Sequence, residues 1–235
     1  MDTFKEKLLD LTDRDDRPWL DIAAVALVYV ALSMLERGLG ISLEFLSVLP
    51  LAGTALAVWF LLKRRQRSWR EFGLESPDNV GSLAVTFIAL AVVLLLFMRF
   101  GIPMIYGALG GVPEGVRYTS LQGNMQLFIG GMLAIWVSAA FAEELLFRGF
   151  IQNRLEDLLG GRGGWVVVAL LQGALVGLLH YDEQASSMVV FGSIGAIFGA
   201  FYYFGGRNLW HLILFHGLRD SMALTQIFLN GLPEG

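Results

Sequence analysis

Seven apolar stretches, each near the length that crosses a bilayer, fill most of this chain: 21–39, 41–62, 80–105, 125–147, 165–180, 185–204 and 209–229. A spanning helix needs roughly 20 mainly apolar residues. In lipid the backbone must satisfy its own hydrogen bonds, so such stretches fold as helices. The expected fold is all-α, a polytopic transmembrane helical bundle of about seven spans. Composition fits that reading. The chain is 55% hydrophobic and 16% charged, too apolar for a soluble domain of this length. It holds no cysteine, which excludes disulfides and thiolate metal sites. A net charge of −4 offers no nucleic-acid surface.

Turn chemistry separates the spans. Gly38-Leu39-Gly40 makes a tight first turn, and Lys63-Arg64-Arg65-Gln66-Arg67 ends the second span. Ser76-Pro77-Asp78-Asn79 is turn and cap chemistry ahead of the third. Pro103 is expected to end or kink that span. The fourth helix should continue past Arg148, because Phe150, Arg154, Leu155 and Leu158 keep its period until Gly160-Gly161-Arg162-Gly163-Gly164. Its polar tail is expected to run into the interface or cytoplasm. Residues 1–18 are charged with both signs and are not a signal peptide. Phe4, Leu8 and Leu11 suit a short helix lying on the membrane. Basic residues set the orientation. With the N-terminus cytoplasmic, the outer side holds only Arg37, Arg99 and Arg117. No boundary or repeat divides the chain. Residues 1–124 (N-terminal helix and first three spans) and 125–235 form one integrated domain.

Polar residues inside these spans are costly and mark candidate sites. Glu143 and Glu144 follow the apolar run 127–142. Glu144 and Arg148 are four apart, so they share a helix face and can pair. Glu143 lies about 100° round the helix and is left for chemistry. The bland alternative is a helix end snorkelling its charges into the headgroups. His180 ends the fifth span. His216 and Asp220 are four apart in the seventh. Their own alternatives are an interfacial group and a structural pair. His211 is read as interfacial, and Arg219 as a partner of Asp220 or of a glutamate. Counted from the 161–163 glycine turn, Glu143 and His180 both lie about 27 Å along antiparallel helices. His216 lies only about 12 Å beyond the Gly205-Gly206 turn. The depths match if the fourth and fifth helices project further, or kink.

Cysteine is absent, and no serine neighbours these histidines in sequence. Water activation remains. Glu143 would be the general base, with His180 orienting the same water. His216, with Asp220 or a backbone group, would donate to the oxyanion of a tetrahedral intermediate. Two histidines and a carboxylate, His180, His216 and Glu143, are also a zinc set with an open position. The residues leave both chemistries open.

The ordered set Glu143-Glu144-x-x-x-Arg148, His180 and His216-x-x-x-Asp220 resembles the three motifs of the CPBP family. That family comprises type II CAAX prenyl endopeptidases, bacteriocin-processing proteins and Abi proteins. Phe147-Arg148-Gly149 with Phe150-Ile151-Gln152-x-x-Leu155 looks like its first motif extended. Val176-Gly177-Leu178-Leu179-His180 is similar to its second, with Val176 in place of phenylalanine. His216-Gly217-Leu218-Arg219-Asp220 resembles the third, where asparagine is usual at the last position. The resemblance covers roughly residues 125–225.

It implies an intramembrane protease whose active site lies between spans four, five and seven. Glu143 and His180 would hold the attacking water, while His216 and Asp220 would serve the oxyanion. Glu144 and Arg148 would support them. An ionised Asp220 would repel an oxyanion; protonated or paired with Arg219, it still holds His216. No metal is obligatory on this reading; a divalent ion, zinc, is the alternative at Glu143, His180 and His216. The implied partners are a peptide or protein substrate in the membrane and the lipid bilayer. The implied setting is a prokaryotic plasma membrane. Two other functions compete. One is a non-catalytic scaffold or immunity-type partner on the same fold, motivated by Val176 and Asp220. The other is a transporter with a carboxylate relay, for which no broken-helix pair or inverted repeat speaks. The residues fix neither substrate nor oligomeric state.

Overall fold

The computed structural model describes residues 17–39, 48–64, 68–76, 79–110, 120–159, 164–180 and 184–231. Each of the seven apolar stretches carries a helix, and no strand occurs among the described residues. The helices are α1 (Pro18–Leu39), α2 (Val48–Arg64), α3 (Val80–Leu109), α4 (Met125–Leu159), α5 (Gly164–Leu178), α6 (Ala185–Phe204) and α7 (Trp210–Asn230). Four of them, α1, α3, α4 and α6, are long and apolar enough to cross a membrane. Within the described residues α2 has 17 residues and α5 has 15. The 21 residues of α7 include His211, His216, Arg219 and Asp220, which dilute its apolar character. Several expected features lie outside the described residues: the N-terminal surface helix, the start of the second stretch, Arg65–Arg67, Pro77, Asp78 and the glycine turn at 161–163.

Helix α4 is the axis of the bundle. One apolar core lies on one side of it, built from Val25, Leu51, Val58, Phe72, Phe147 and Phe150. A second core on the other side holds Leu90, Leu94, Leu145, Phe198, Leu212 and Ile213. With partners all round, residues 144–154 are buried without a break. The polar residues of the α4 tail are thus covered by protein. Arg154 is 1% exposed. Its guanidinium lies 3.3 Å from Asp21 at the start of α1 and 3.1 Å from Asp157. The charge is buried because it is paired, which is the condition under which such burial is tolerated.

Two wide π-type turns interrupt α4, at Ile135–Ala142 and Leu145–Gln152. Such turns are rare and concentrate at functional sites. The Glu143 N–H reaches the Ser138 carbonyl, five residues back. Asn153 serves carbonyls of the second wide turn. Its side-chain amide donates to Gly149 at 2.6 Å and to Arg148 at 3.3 Å.

Pro103 neither ends nor sharply breaks α3. A wide turn at Phe97–Gly101 precedes it, and helix resumes over Ile102–Leu109. Proline cannot donate to the carbonyl one turn back, and a wide turn places that change of pairing just before it. Asn79 caps α3 as expected, accepting from Gly81 at 2.8 Å and Ser82 at 3.3 Å.

Helices α5 and α6 touch backbone to backbone. A Cβ added at Gly177 would stand 2.4 Å from the Met188 carbonyl oxygen, and one at Gly173 2.6 Å from that of Gly192. Small residues permit such approach between membrane helices. Gly73, in the left-handed region at φ 87°, ends a short turn at Trp69–Phe72. It accepts the Leu209 N–H at 2.9 Å, which pins the start of α7.

Candidate active site

The centre of the bundle is a chain of charged side chains running from α4 to α7. Glu144, 0% exposed, takes the Arg148 guanidinium at 3.0 Å on the same oxygen that faces His216 Nδ1 at 2.8 Å. His216 Nε2 lies 3.3 Å from Asp220, whose other oxygen is 2.9 Å from Arg219 Nε. The order is Arg148, Glu144, His216, Asp220, Arg219. In its imidazolium form His216 donates to both carboxylates. Alternation of sign suits a buried network, since each charge has an opposite neighbour.

Packing fixes these groups. Arg148 also donates to the Gly195 carbonyl at 3.1 Å and lies 4.9 Å above the Phe198 ring. The edge of the same ring meets His216, with centroids 5.6 Å apart. Trp136 packs on Gly217, where a Cβ would come within 2.6 Å of the indole. Glycine at 217 thus lets α7 approach α4 closely enough for His216 to reach Glu144.

Glu143 points elsewhere, as helical geometry requires of adjacent residues. No hydrogen bond or ion pair among the described residues engages its carboxylate. It lies within electrostatic reach of His216, Glu144, Asp220 and Arg148, and of the Tyr29 hydroxyl on α1.

The α6–α7 turn lies part-way along α4. Arg207, in the α6–α7 turn, pairs with Glu156 and donates to Asn153 at 3.1 Å. That turn is therefore level with residues 153–156, and α4 continues beyond it. Counted from this level, Glu144 and His216 are nine residues away along their own helices, so they meet.

His180 packs against a different residue of α6. Its ring stacks on Phe191 at 3.8 Å, and Nδ1 faces the Val176 carbonyl at 3.1 Å. Phe191 and Phe198, which touch His180 and His216 respectively, are seven residues apart on α6, about 10 Å along its axis. Among the described residues, no three histidine, aspartate or glutamate side chains converge to hold a metal. The set Glu143, His180 and His216 therefore does not fit a zinc ion in this arrangement. Both ring nitrogens of His216 already face carboxylates.

His211 corrects an expectation. It is 1% exposed, covered by protein rather than turned outward. Its Nε2 lies 3.2 Å from the Phe201 carbonyl near the end of α6, a group the helix end leaves without an intrahelical donor. The pairing of His216 with Glu144, 72 residues away, was not foreseen; only tertiary packing sets it. The buried amides Gln152 and Gln172 were also overlooked as polar groups, although Glu144, Arg148 and Gln152 recur every fourth residue.

A family model described as type II CAAX prenyl endopeptidase, Rce1-like, matches residues 125–222. The matched segment runs from the start of α4 to Met222 in α7 and contains Glu143, Glu144, Arg148, His180, His216 and Asp220. Comparison with curated proteins and with solved structures found no match. Four membrane-length apolar helices and this match describe an integral membrane protein with a protease-type domain. Residues 125–222 of this chain are similar to the Rce1-like family of type II CAAX prenyl endopeptidases.

Proposed function

We propose that the protein hydrolyses a peptide bond of a membrane-associated peptide or protein, with Glu143 as the base that activates water. The observation that supports this is the unequal use of two adjacent carboxylates. Glu144 is committed to Arg148 and His216, whereas Glu143 is uncommitted one residue away. Glu143 takes a proton from water, and the hydroxide adds to the substrate carbonyl carbon. The resulting oxyanion is stabilised by the positive charge of His216, which Glu144 and Asp220 hold in place. Glu143 then passes the proton to the leaving nitrogen as the C–N bond breaks. Asp220 thus anchors His216 rather than meeting the oxyanion itself. His180, on another stretch of the α6 wall, is assigned to the substrate chain instead of to the water.

Cleavage of membrane-anchored peptides in liposomes tests this. Glu143→Ala should lose cleavage by a factor of about 10³ or more while melting near the wild type. Equal cleavage by both proteins refutes the scheme. The separation of His180 from His216 favours one competing reading, a non-catalytic membrane partner on the same fold. That reading prevails if Glu143→Ala and His180→Ala both keep full biological activity.

A further inference from the structure

The side of α4 that faces α5 and α6 is polar from the site to the helix end. Glu144, Arg148, Gln152 and Glu156 recur every fourth residue, about 6 Å per step. The second and third rungs dock on α6 with the same repeat. Arg148 donates to the Gly195 carbonyl at 3.1 Å and Gln152 to the Gly199 carbonyl at 2.9 Å. Each rung also leaves a buried polar atom with no partner among the described residues: Glu144 Oε2, Arg148 Nε, Gln152 Oε1 and Glu156 Oε1. Gln172 of α5, 0% exposed, adds both of its amide atoms.

The two glutamines point at one place. A Cβ on Gly199 would stand 2.8 Å from Gln172 Oε1 and 3.0 Å from Gln152 Oε1. Two carbonyl oxygens so disposed need a common donor. Turning the Gln172 amide over would supply one directly, but it leaves Glu144 Oε2, Arg148 Nε and Glu156 Oε1 as they are. Buried polar groups without protein partners are ordinarily met by internal water, which makes two to four hydrogen bonds. One water spans two bonds of about 2.8 Å, close to the step of the ladder.

We infer that a file of internal water molecules binds along the seam of α4, α5 and α6, held by Glu144, Arg148, Gln152, Gln172 and Glu156. Its outer end is at Arg207, whose side chain is 47% exposed and pairs with Glu156. Its inner end is the carboxylate beside Glu143. The use of the file rests on the hydrolase reading, since each bond cleaved consumes one water at a site walled by apolar helices. Its existence does not.

Radiolytic hydroxyl labelling of the protein in lipid nanodiscs tests it, because radicals made from bound water mark the side chains beside it. Phe198 and Tyr202, 1% and 0% exposed, flank the seam and should be labelled in the wild type despite their burial. Gln152→Met with Gln172→Met removes the amides at nearly constant volume and should cut that labelling about five-fold. Glu143→Gln should leave it unchanged, so a failed hydrolase reading and a failed water file give different results. Absence of label on Phe198 and Tyr202 in the wild type overturns the inference. So does undiminished label in the folded double variant. Should the double variant not fold, Gln172→Met alone is judged by the same criterion.

Discussion

His216 Nδ1 lies 2.8 Å from Glu144 Oε1, and the same oxygen holds Arg148 at 3.0 Å. One carboxylate thus joins α4 to α7 and neutralises a guanidinium that is 3% exposed. Removing it leaves that buried cation without its counter-ion. Breaking a buried pair from one side costs about 3–5 kcal/mol. Glu144→Ala is therefore expected to lower the melting temperature in detergent strongly, whereas Glu143→Ala, which breaks no pair, should melt close to the wild type. A Glu144→Ala protein with unchanged melting would show that the pair carries no structural weight.

His180 and His216 should fail in different ways. His216 sits in the charge chain beside Glu143, while His180 stacks on Phe191 about 10 Å along α6. His216→Ala is expected to lower kcat by about 10²-fold or more. His180→Ala should act mainly by raising KM, about ten-fold, because it touches substrate rather than the reacting water. Steady-state kinetics on one anchored peptide separate the two effects. A kcat collapse at unchanged KM in His180→Ala would return this histidine to the attacking water.

The fold was readable from apolar run length alone, because lipid permits one backbone solution for such runs. The Glu144–Arg148 pair was readable too, since side chains four apart meet on any helix. What could not be read depends on how the helices turn and dock. The wide turns around Glu143 and Glu144 have no sequence signature. The burial of Arg154 needed its partner Asp21, on a helix more than a hundred residues earlier. His211 looked interfacial because it lies near a span end. In the structure it finds the Phe201 carbonyl across a tight interhelical turn. His180 was placed by counting residues from a turn, which gives depth but not the direction of a ring.

The α5–α6 contact predicts a sharp response to one methyl group. At Gly177 a Cβ would stand 2.4 Å from the Met188 carbonyl oxygen, and backbone atoms cannot rotate aside. Gly177→Ala must push the helices apart, at a cost of about 1–3 kcal/mol. The Arg148 and Gln152 bonds to α6 would be strained in turn. Thermal unfolding should register the loss. Gly107→Ala, where nothing lies within 4 Å of the added atom, is the control and should leave melting unchanged.

Chelation separates the two chemistries that the residues alone left open. A zinc hydrolase needs three protein ligands converging on one point about 2 Å from each donor. Here both His216 nitrogens face carboxylates, His180 stacks further along α6, and no convergent triplet exists among the described residues. Assembling one would require α5 to shift against α6. The interlocked glycines at 173 and 177 oppose that shift, since each already touches α6 backbone. Cleavage by protein dialysed against a strong chelator is therefore expected to match the untreated enzyme, with under one equivalent of zinc by elemental analysis. Activity lost on chelation and restored by zinc alone would mean that the working arrangement of α5 and α7 differs from this one, and that His216 exchanges a carboxylate for the metal.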